Sequence, residues 1–331
     1  MNYVIVGSGP AAINAAKTLK ENDESCNSVL ISSEKNPFYL KPTLIDFIAG
    51  DLSEKDLSKE NMFDSGGSKI ITGKRVVKVD SANNAVILSS GERIGYNYLV
   101  IASGTLPRLP ENLHHVSSDI FTLYTIVDAI KIKKKALLSK KVIVAGTGYI
   151  GIEMVRGLKK CGVDVIYLTS ENDLWRGNYL GITNEDIVSK FDKEKVKIKL
   201  GDKIADIFEI DADNYSVITN NGEEIECNMV VSAYSYNPNI NFLSESNIKL
   251  DRGIVVNEEL RTSVSNIFAA GDVAQVYDIN RKINRNNFGW SSAWLQGEIC
   301  ARNILGEGVS FISDDEKFFN RLMGKKLLDR W

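Results

Sequence analysis

The sequence predicts an α/β protein made of two three-layer units with parallel sheets, the second unit inserted into the first. Three observations predict this class. An apolar strand, a glycine-rich turn and a helix occur twice, first from Asn2 and again from Lys141. Strand patterns alternate with helical patterns in both halves, which is typical of parallel sheets covered by helices. A later apolar strand, which begins at Asn266, is expected to join the first sheet.

The repeat continues downstream of each copy. Segments that begin at Arg75 and Lys203 each contain short strands separated by turns rich in Asn and Gly, and then a buried strand. Each unit is therefore expected to carry an antiparallel β-meander, and a motif used twice indicates two related domains. The predicted domains are 1–112 with 243–310, then 113–242, and a short helical tail over 311–331.

The tail has apolar residues at helix-like spacing. They are Phe318, Phe319, Leu322, Met323, Leu327, Leu328 and Trp331. We expect this helix to pack on its own domain or on a dimer partner, and attachment to a membrane surface is the alternative.

Composition excludes several classes of protein. The 331 residues are 44% hydrophobic and 25% charged, which excludes a disordered chain. A net charge of −3 gives no strong field for nucleic acid or an anionic membrane. No apolar run approaches the roughly 18 residues of a membrane-spanning helix. No targeting segment is visible, so we expect a cytoplasmic protein without integral membrane association.

Cysteine and histidine are too sparse for most metal or thiol chemistry. The four cysteines stand alone in the sequence, and the two histidines are the adjacent pair His114 and His115. We therefore expect neither a metal site nor a redox dithiol at neighbouring positions.

The first glycine turn has the pattern G-x-G-x-x-A, formed by Gly7, Gly9 and Ala12 between a strand and a helix. Such a turn brings backbone N–H groups and a helix N-terminus to a pyrophosphate. Glu34 ends the next strand, where a carboxylate can bind an adenosine ribose. A tight turn without a ligand is the alternative, but the placement of the acid favours a nucleotide.

The second turn repeats the pattern with Gly146, Gly148 and Gly151. The strand after it ends with Thr169 where the ribose carboxylate is expected, and no arginine is adjacent for a 2′-phosphate. The choice between NADH and NADPH stays open.

With these motifs, the sequence resembles the FAD- and NAD(P)-dependent pyridine nucleotide-disulfide oxidoreductases, the two-dinucleotide flavoproteins related to glutathione reductase. The similarity is greatest to the rubredoxin, ferredoxin and nitrite reductase type of NAD(P)H reductase. It covers about residues 1–310 and is carried by GSGPAA, YNYLVIASGTLPRLP, GTGYIGIE, NIFAAGDVAQ and WSSAWLQG. The resemblance implies two Rossmann-like domains, bound FAD, and NADH or NADPH as co-substrate.

The resemblance also assigns residues to each cofactor. For FAD these are Gly7, Gly9, Pro10, Ala11, Glu34, Lys41, Pro42, Val76, Ala102, Ser103, Gly104, Gly271, Asp272 and Trp290. For NAD(P)H they are Gly146, Gly148, Tyr149, Ile150, Gly151, Glu153, Thr169 and Ser235. Glu153 and Tyr149 would lie where the nicotinamide stacks on the flavin, and Lys41 beside the flavin, so these three are the catalytic candidates.

Some positions depart from the family pattern. No redox cysteine occurs in YLKPTLID, Asp46 stands where some relatives have a lysine near the flavin, and Ser235 replaces a glycine. We expect the family's usual C-terminal interface domain to be absent or reduced, and with it the usual dimer surface, so homodimer formation stays open.

The predicted function is FAD-dependent transfer of a hydride from NAD(P)H to the flavin, with electrons then passed to a rubredoxin- or ferredoxin-like protein or to a small-molecule acceptor. The alternatives are an NADH oxidase, a quinone reductase or a nitrite reductase type subunit. A thioredoxin reductase-like protein is disfavoured because no C-x-x-C is present. The alternative from another class is a sensory or non-catalytic FAD protein whose nicotinamide site has decayed.

Overall fold

The computed structural model describes residues 1–23, 25–35, 39–57, 67–172, 174, 182–278, 281–286, 289–312 and 330–331. The strands are β1 Asn2–Val6, β2 Asn27–Ile31, β3 Lys69–Ile71, β4 Val76–Asp80, β5 Ala85–Leu88, β6 Arg93–Gly95, β7 Tyr98–Ile101, β8 Thr105–Arg108, β9 Ile120–Thr122, β10 Lys141–Gly146, β11 Asp164–Leu168, β12 Lys197–Lys199, β13 Ile204–Asp211, β14 Asn214–Thr219, β15 Glu224–Cys227, β16 Met229–Ala233, β17 Ser235–Pro238, β18 Ile254–Val255, β19 Ile267–Ala269, β20 Ala274–Asp278 and β21 Ile283–Asn286. The helices are α1 Pro10–Asn22, α2 Leu44–Ala49, α3 Glu54–Leu57, α4 Ile126–Ala136, α5 Tyr149–Lys160, α6 Asn184–Lys193 and α7 Trp290–Ile304.

The chain forms two compact units. The first comprises Met1–Tyr39, Lys59–Leu106 and Asn237–Leu322. The second comprises Leu40–Ser58, Pro107–Tyr236 and Met323–Trp331.

The first unit has a five-stranded parallel sheet in the order β19-β7-β1-β2-β3. Val6 pairs with Ile31 on one side and Ile101 on the other, so the carboxyl ends of three strands are level. The strand from Asn266 joins this sheet as β19, beside β7, as the sequence predicts. Strands β4, β5 and β6 form the expected antiparallel meander.

The second unit repeats the arrangement, with a parallel sheet in the order β12-β11-β10-β16-β9 and a meander of β13, β14 and β15. Gly146 pairs with Ala233 at the carboxyl end of β10. The predicted fold class, an α/β protein with two such units, is confirmed.

Both sheets have buried apolar strands, because a parallel sheet covered by helices exposes neither face to water. The core of the first unit contains Ile5, Leu30 and Phe268, and that of the second contains Ile143 and Val230. Helix α1 packs closely on the core of the first unit through small residues. They are Ala11, Ala12, Ala15 and Ala16, all buried.

Residues 40–58 belong to the second unit by their contacts, although the sequence placed them in the predicted FAD domain. The reason is α2, which packs against α4 and α5 of that unit. Lys133 of α4 donates a hydrogen bond to the carbonyl of Phe47 at 2.7 Å.

The predicted tail helix falls on residues 313–329, which lie outside the described residues. They include Phe318, Phe319, Leu322, Met323, Leu327 and Leu328. Of the predicted apolar positions only Trp331 is described, and it belongs to the second unit. Among the described residues, none of the helices is long and apolar enough to cross a membrane.

Candidate dinucleotide-binding sites

The first glycine turn leaves no room for a side chain at Gly7. A Cβ on Gly7 would lie 2.1 Å from the carbonyl oxygen of Ala102, and its φ of +132° is one that other residues rarely adopt. A Cβ on Gly9, by contrast, would meet nothing within 4 Å. Gly7 therefore brings β1 and β7 together, while the space beside Gly9 is open for a ligand.

Helix α1 begins after this turn without a side-chain cap. Its N-cap is Gly9, Pro10 occupies the first turn, and no acidic residue lies there. Helices α4 and α6 are different, because Thr125 and Thr183 each form a capping box with an acid three residues later. The free N–H groups of α1 and its partial positive charge can therefore bind a phosphate.

Glu34 follows β2 at the same edge of the sheet. The Tyr39 hydroxyl donates to its Oε2 at 2.5 Å, and its backbone N–H donates to Ser32 Oγ at 3.1 Å. These contacts fix Glu34 just after β2, at the sheet edge that also carries the glycine turn, and a carboxylate there can accept ribose hydroxyl hydrogen bonds. Ala102, Ser103 and Gly104 follow β7 at this edge, and Ser103 donates to the carbonyl of Asn239 at 2.9 Å.

Gly271 and Asp272 come after β19, also at this edge. The Gly271 N–H donates to Oε1 of the buried Gln296 at 2.8 Å, and the Gly289 N–H donates to Asp272 Oδ1 at 3.2 Å. Gly289 is the N-cap of α7, so Asp272 is tied to the start of that helix. Trp290 is the first residue of α7 and is half-buried.

Gln296 and Gly297 have structural roles that the sequence alone did not assign individually. A Cβ on Gly297 would lie 2.1 Å from the carbonyl oxygen of Ala11, so α7 and α1 approach backbone to backbone. Gln296 joins α7 to the Gly271 turn. The signal for both was their place in the motif WSSAWLQG.

The remaining predicted FAD residues are not all in one unit. Val76 is buried at the start of β4 in the first unit. Lys41 and Pro42 lie in a short 3₁₀ turn of the second unit, where Lys41 Nζ is 3.8 Å from the centroid of the Tyr124 ring. Direct contact of Lys41 and Pro42 with a flavin stays a prediction.

The second glycine turn repeats the geometry of the first. A Cβ on Gly146 would lie 2.1 Å from the carbonyl oxygen of Ala233, and a Cβ on Gly148 would meet nothing within 4 Å. Gly148 is the N-cap of α5 and supplies no side-chain cap. Gly151 faces Tyr167, whose hydroxyl would lie 2.5 Å from an added Cβ. The start of α5 can therefore bind a second dinucleotide.

Three further predicted residues surround this turn. Ile150 is half-buried in the first turn of α5. Thr169 is buried just after β11, and its Oγ1 accepts a hydrogen bond from the Glu171 N–H at 3.2 Å. Ser235 is exposed at the start of β17, just beyond the carboxyl end of β16. All three lie at the edge of the sheet where the dinucleotide is expected.

Glu153 lies one turn after Tyr149 on α5 and is almost completely buried, with 1% of its side chain exposed. Both of its carboxylate oxygens are 3.2 Å from Nε of Arg156. Burial and the negative charge of Glu153 raise the pKa of Tyr149 far above its ordinary value, so its hydroxyl stays protonated and can only donate or accept hydrogen bonds.

The fully buried Arg156 connects Glu153 of α5 to acids at and after α2. Asp46, Asp51, Glu153, Arg156 and Lys160 together form a charge cluster. Its Nη2 is 2.7 Å from Asp46 Oδ1 and its Nη1 is 3.1 Å from Asp51 Oδ2. Lys160 adds a second contact to Asp51, at 2.8 Å. The role of Arg156 could not be predicted from the sequence, because an isolated arginine within a helix gives no signal of its partners.

The described residues show how the candidate metal ligands and the four thiols are placed. They contain no cluster of three or more His, Cys, Asp or Glu side chains able to hold a metal ion. Cys26, Cys161, Cys227 and Cys300 are all free thiols. Burial raises the pKa of Cys161 and raises that of Cys227 to about 11, so both thiols are protonated at neutral pH.

The fold and these two turns define a protein with two dinucleotide-binding units. In each unit, an uncapped helix N-terminus, an open glycine position and the carboxyl edge of a parallel sheet coincide, as a dinucleotide requires. The two turns have the same geometry, and each fits the pyrophosphate of a dinucleotide.

Comparison with known proteins gives the family. The family model of the pyridine nucleotide-disulphide oxidoreductases, which describes the sequences of that family, matches residues 1–293. NADH-rubredoxin oxidoreductase of Clostridium acetobutylicum is 30% identical over 317 residues, which are 93% of this chain and 76% of that protein. NADH oxidase of Methanocaldococcus jannaschii is 30% identical over 94% of this chain and 71% of its own length. The structure of a covalent putidaredoxin reductase–putidaredoxin complex is similar in fold, with a TM-score of 0.85 and 23% identity over 94% of this chain and 76% of that one.

The chain belongs to the pyridine nucleotide-disulphide oxidoreductase family, as its motifs predict. It is an NAD(P)H oxidoreductase and a flavoprotein, with FAD as its cofactor and a nicotinamide dinucleotide as its co-substrate.

Proposed function

We propose that the first unit binds FAD, that the second binds NAD(P)H, and that the protein passes electrons from NAD(P)H to a small redox protein. One observation carries this proposal. Helices α1 and α5 begin at Gly9 and Gly148 without a side-chain cap, whereas α4 and α6 have capping boxes. Helices α2 and α7 also begin without a side-chain cap. Among the described helices, however, only α1 and α5 follow a glycine turn at the carboxyl end of a parallel strand, one in each unit.

The flavin of FAD, when bound, would supply the redox chemistry, which is uptake of a hydride from the nicotinamide and release of electrons singly or in pairs. The protein binds and orients the two dinucleotides. The N-terminus of α1 and Glu34 would hold the pyrophosphate and ribose of FAD, and Asp272 would hold its ribityl chain. In the second unit, the N-terminus of α5 would hold the pyrophosphate of NAD(P)H.

Glu153 and Tyr149 are proposed to orient the nicotinamide. They lie on one face of α5, one turn apart, and Glu153 is fixed by Arg156. A buried carboxylate held in this way is preorganised and can accept a hydrogen bond from the nicotinamide amide without further rearrangement. We assign neither of them a nucleophilic role.

A small redox protein is the proposed acceptor for two reasons. The four cysteines are isolated in the sequence and free, so no dithiol is at hand to pass electrons to a disulfide substrate. Similar proteins include a rubredoxin reductase and a putidaredoxin reductase. A cytoplasmic location would keep the free thiols reduced and is part of the proposal. Homodimer formation stays a prediction, to be tested by light scattering.

The test is an anaerobic titration with NADH and then NADPH while the flavin absorbance is followed. Rapid bleaching by either nucleotide supports the proposal and identifies the donor. Bound FAD that neither nucleotide reduces would contradict it and favour the sensory alternative. A colourless protein that cannot be reconstituted with FAD would refute the assignment of the first unit.

The acceptor is tested on the reduced enzyme. Rapid reoxidation by rubredoxin or ferredoxin, with slow reoxidation by oxygen, is the expected result. Faster reoxidation by oxygen would identify an NADH oxidase instead, which the relative from Methanocaldococcus jannaschii makes the second candidate.

A further inference from the structure

Arg330 contacts the two most buried acids of the charge cluster, Glu153 on α5 and Asp46 on α2. Its Nη1 is 3.3 Å from Glu153 Oε2, and its Nη2 contacts Asp46 Oδ1. Both carboxylates also bind Arg156, so the two arginines share the same pair of acids. Glu153 and Asp46 are 1% and 13% exposed, which means that water screens these contacts little.

Trp331 holds Arg330 in this place. Its ring packs on Phe191 of α6 with centroids 5.4 Å apart, and Lys190 Nζ lies 5.7 Å from the ring. Its Nε1 is buried without a hydrogen-bond partner among the described residues. The ring is therefore held by packing, and it places the arginine beside α5.

Among the described residues, the charges of this cluster balance only when Arg330 is included. Three acids, Asp46, Asp51 and Glu153, face the cations Arg156 and Lys160. Without Arg330 the cluster has three negative charges and two positive ones. The unbalanced negative charge then falls on the buried acids that Arg330 contacts. Removing one partner of a buried ion pair leaves a charge that is costly to keep in place.

We propose that Arg330 is a positioning residue for Glu153 and thereby sets the rate at which NAD(P)H reduces the flavin. This inference rests on the proposed function, because Glu153 matters only if a nicotinamide binds at the start of α5. Asp46 and Glu153 share Arg156 and repel each other, and Arg330 binds both. Its loss would let Glu153 turn away from the position in which it meets the dinucleotide.

The contact itself is tested without any enzyme activity. The midpoint of urea unfolding is measured for the unchanged protein, for Arg330→Met, for Glu153→Gln and for the double variant. We expect Arg330→Met to lower the midpoint in the unchanged protein and to lower it clearly less in the Glu153→Gln background. Equal shifts in both backgrounds would overturn the contact.

The positioning role is tested by anaerobic stopped-flow reduction of the bound FAD. Arg330→Met is expected to lower the limiting rate by about tenfold with FAD still bound, because one partner of a buried charged pair is lost. Arg330→Lys, which keeps the charge, should recover most of that rate. Arg330→Gln is measured in parallel, so that poor folding of one variant leaves the test intact.

Arg302→Met is the matched control. Arg302 also pairs with two acids, Glu298 and Glu307, but on the surface of the first unit. It should reduce like the unchanged protein. An Arg330→Met protein that reduces as fast as Arg302→Met would overturn the proposal. If neither nucleotide reduces the unchanged protein, the proposed function fails, and the unfolding measurements still decide the contact.

Discussion

A Cβ on Gly7 would lie 2.1 Å from the carbonyl oxygen of Ala102, and this close approach joins the first glycine turn to the strand at its side. Gly146 and Ala233 have the same relationship in the second unit. The two units therefore repeat a physical constraint as well as a sequence pattern. Gly9 and Gly148, two residues further on in each turn, face open space instead.

This difference predicts that substitution of Gly7 affects stability, whereas substitution of Gly9 affects FAD binding. Gly7→Ala should lower the free energy of unfolding by about 3 kcal/mol or more, because the Cβ collides with backbone and the positive φ is strained. Gly9→Ala should leave stability nearly unchanged, since its φ is −80° and its surroundings are open. It should nevertheless weaken FAD binding, because the methyl group occupies the space proposed for the pyrophosphate.

Urea unfolding and the FAD content of the purified proteins measure the two effects. A Gly9→Ala protein that binds FAD as tightly as the unchanged protein would argue against a pyrophosphate at this turn. A stable Gly7→Ala protein would show instead that β1 and β7 can separate.

The buried arginine of α5 gives a second prediction. Arg156→Met removes one of two arginine partners of Glu153 and one of two of Asp46, and both acids are largely buried. We expect the free energy of unfolding to fall by about 3–5 kcal/mol, as when a buried ion pair loses one member. Arg302→Met, at a surface ion pair, should cost no more than about 1 kcal/mol. Similar losses in the two variants would mean that burial of the cluster contributes little.

The sequence predicted the parts of the fold whose cause lies within a few consecutive residues. Gly7, Gly9 and Ala12 encode a turn locally, and apolar runs such as that of β10 identify buried strands. The repeat predicted two related parallel sheets, because a second copy of a unit folds as the first does. The glycine turns of the two candidate sites were therefore visible before the structure.

The charge cluster was not predictable in this way. Asp46 and Arg156 are 110 positions apart and Glu153 and Arg330 are 177 apart, and no periodic pattern connects them. The short helix α2 carries Asp46 into the second unit, while its sequence position suggested the first. Only the packing of α2 on α5 brings these charges together.

The capping boxes give a third prediction. Thr125 accepts a hydrogen bond from the Asp128 N–H, and Asp128 accepts one from the N–H of Thr125. Thr125→Ala should lower the free energy of unfolding by about 1 kcal/mol. The rate of flavin reduction by NAD(P)H should not change, because this N-terminus is already capped by the protein. A marked fall in that rate, with FAD retained, would assign α4 a role in nucleotide binding that its capped end does not suggest.

Gln296 gives a fourth prediction. Its buried side chain accepts from the Gly271 N–H at 2.8 Å and donates to Ser292 Oγ at 3.0 Å. Gln296→Leu keeps much of the volume but leaves the Gly271 N–H without this partner, which should cost about 1–3 kcal/mol. FAD content should fall as well, since Gly271 precedes the proposed ribityl ligand Asp272. A variant that is destabilised but retains its full FAD content would show that this hydrogen bond stabilises the fold without contributing to FAD binding.

The last prediction concerns pH and Asp202, which is 4% exposed in the second unit. Burial alone would raise its pKa, but hydrogen bonds from the Thr219 hydroxyl and from the N–H groups of Lys203 and Asn221 outweigh burial and lower the pKa. The unfolded chain, with an aspartate pKa of about 3.9, then takes up this proton at a higher pH than the folded protein does. The stability contributed by the ionised Asp202 is therefore complete above that value and is lost as the pH falls through the lower pKa of the folded state.

Asp202→Asn should accordingly be less stable than the unchanged protein at pH 7, by about 1–3 kcal/mol, because the charged acceptor of these hydrogen bonds is lost. The difference should shrink as the pH falls below about 4, where the unchanged protein loses the same contribution. Urea unfolding of both proteins at several pH values between 7 and 3 measures this difference in stability. Asp164→Asn, at an exposed position of the same unit, is the control and should show no comparable trend. A difference for Asp202→Asn that stays constant down to pH 3 would mean that these hydrogen bonds do not favour the ionised form, and that the turn after β14 is held by shape alone.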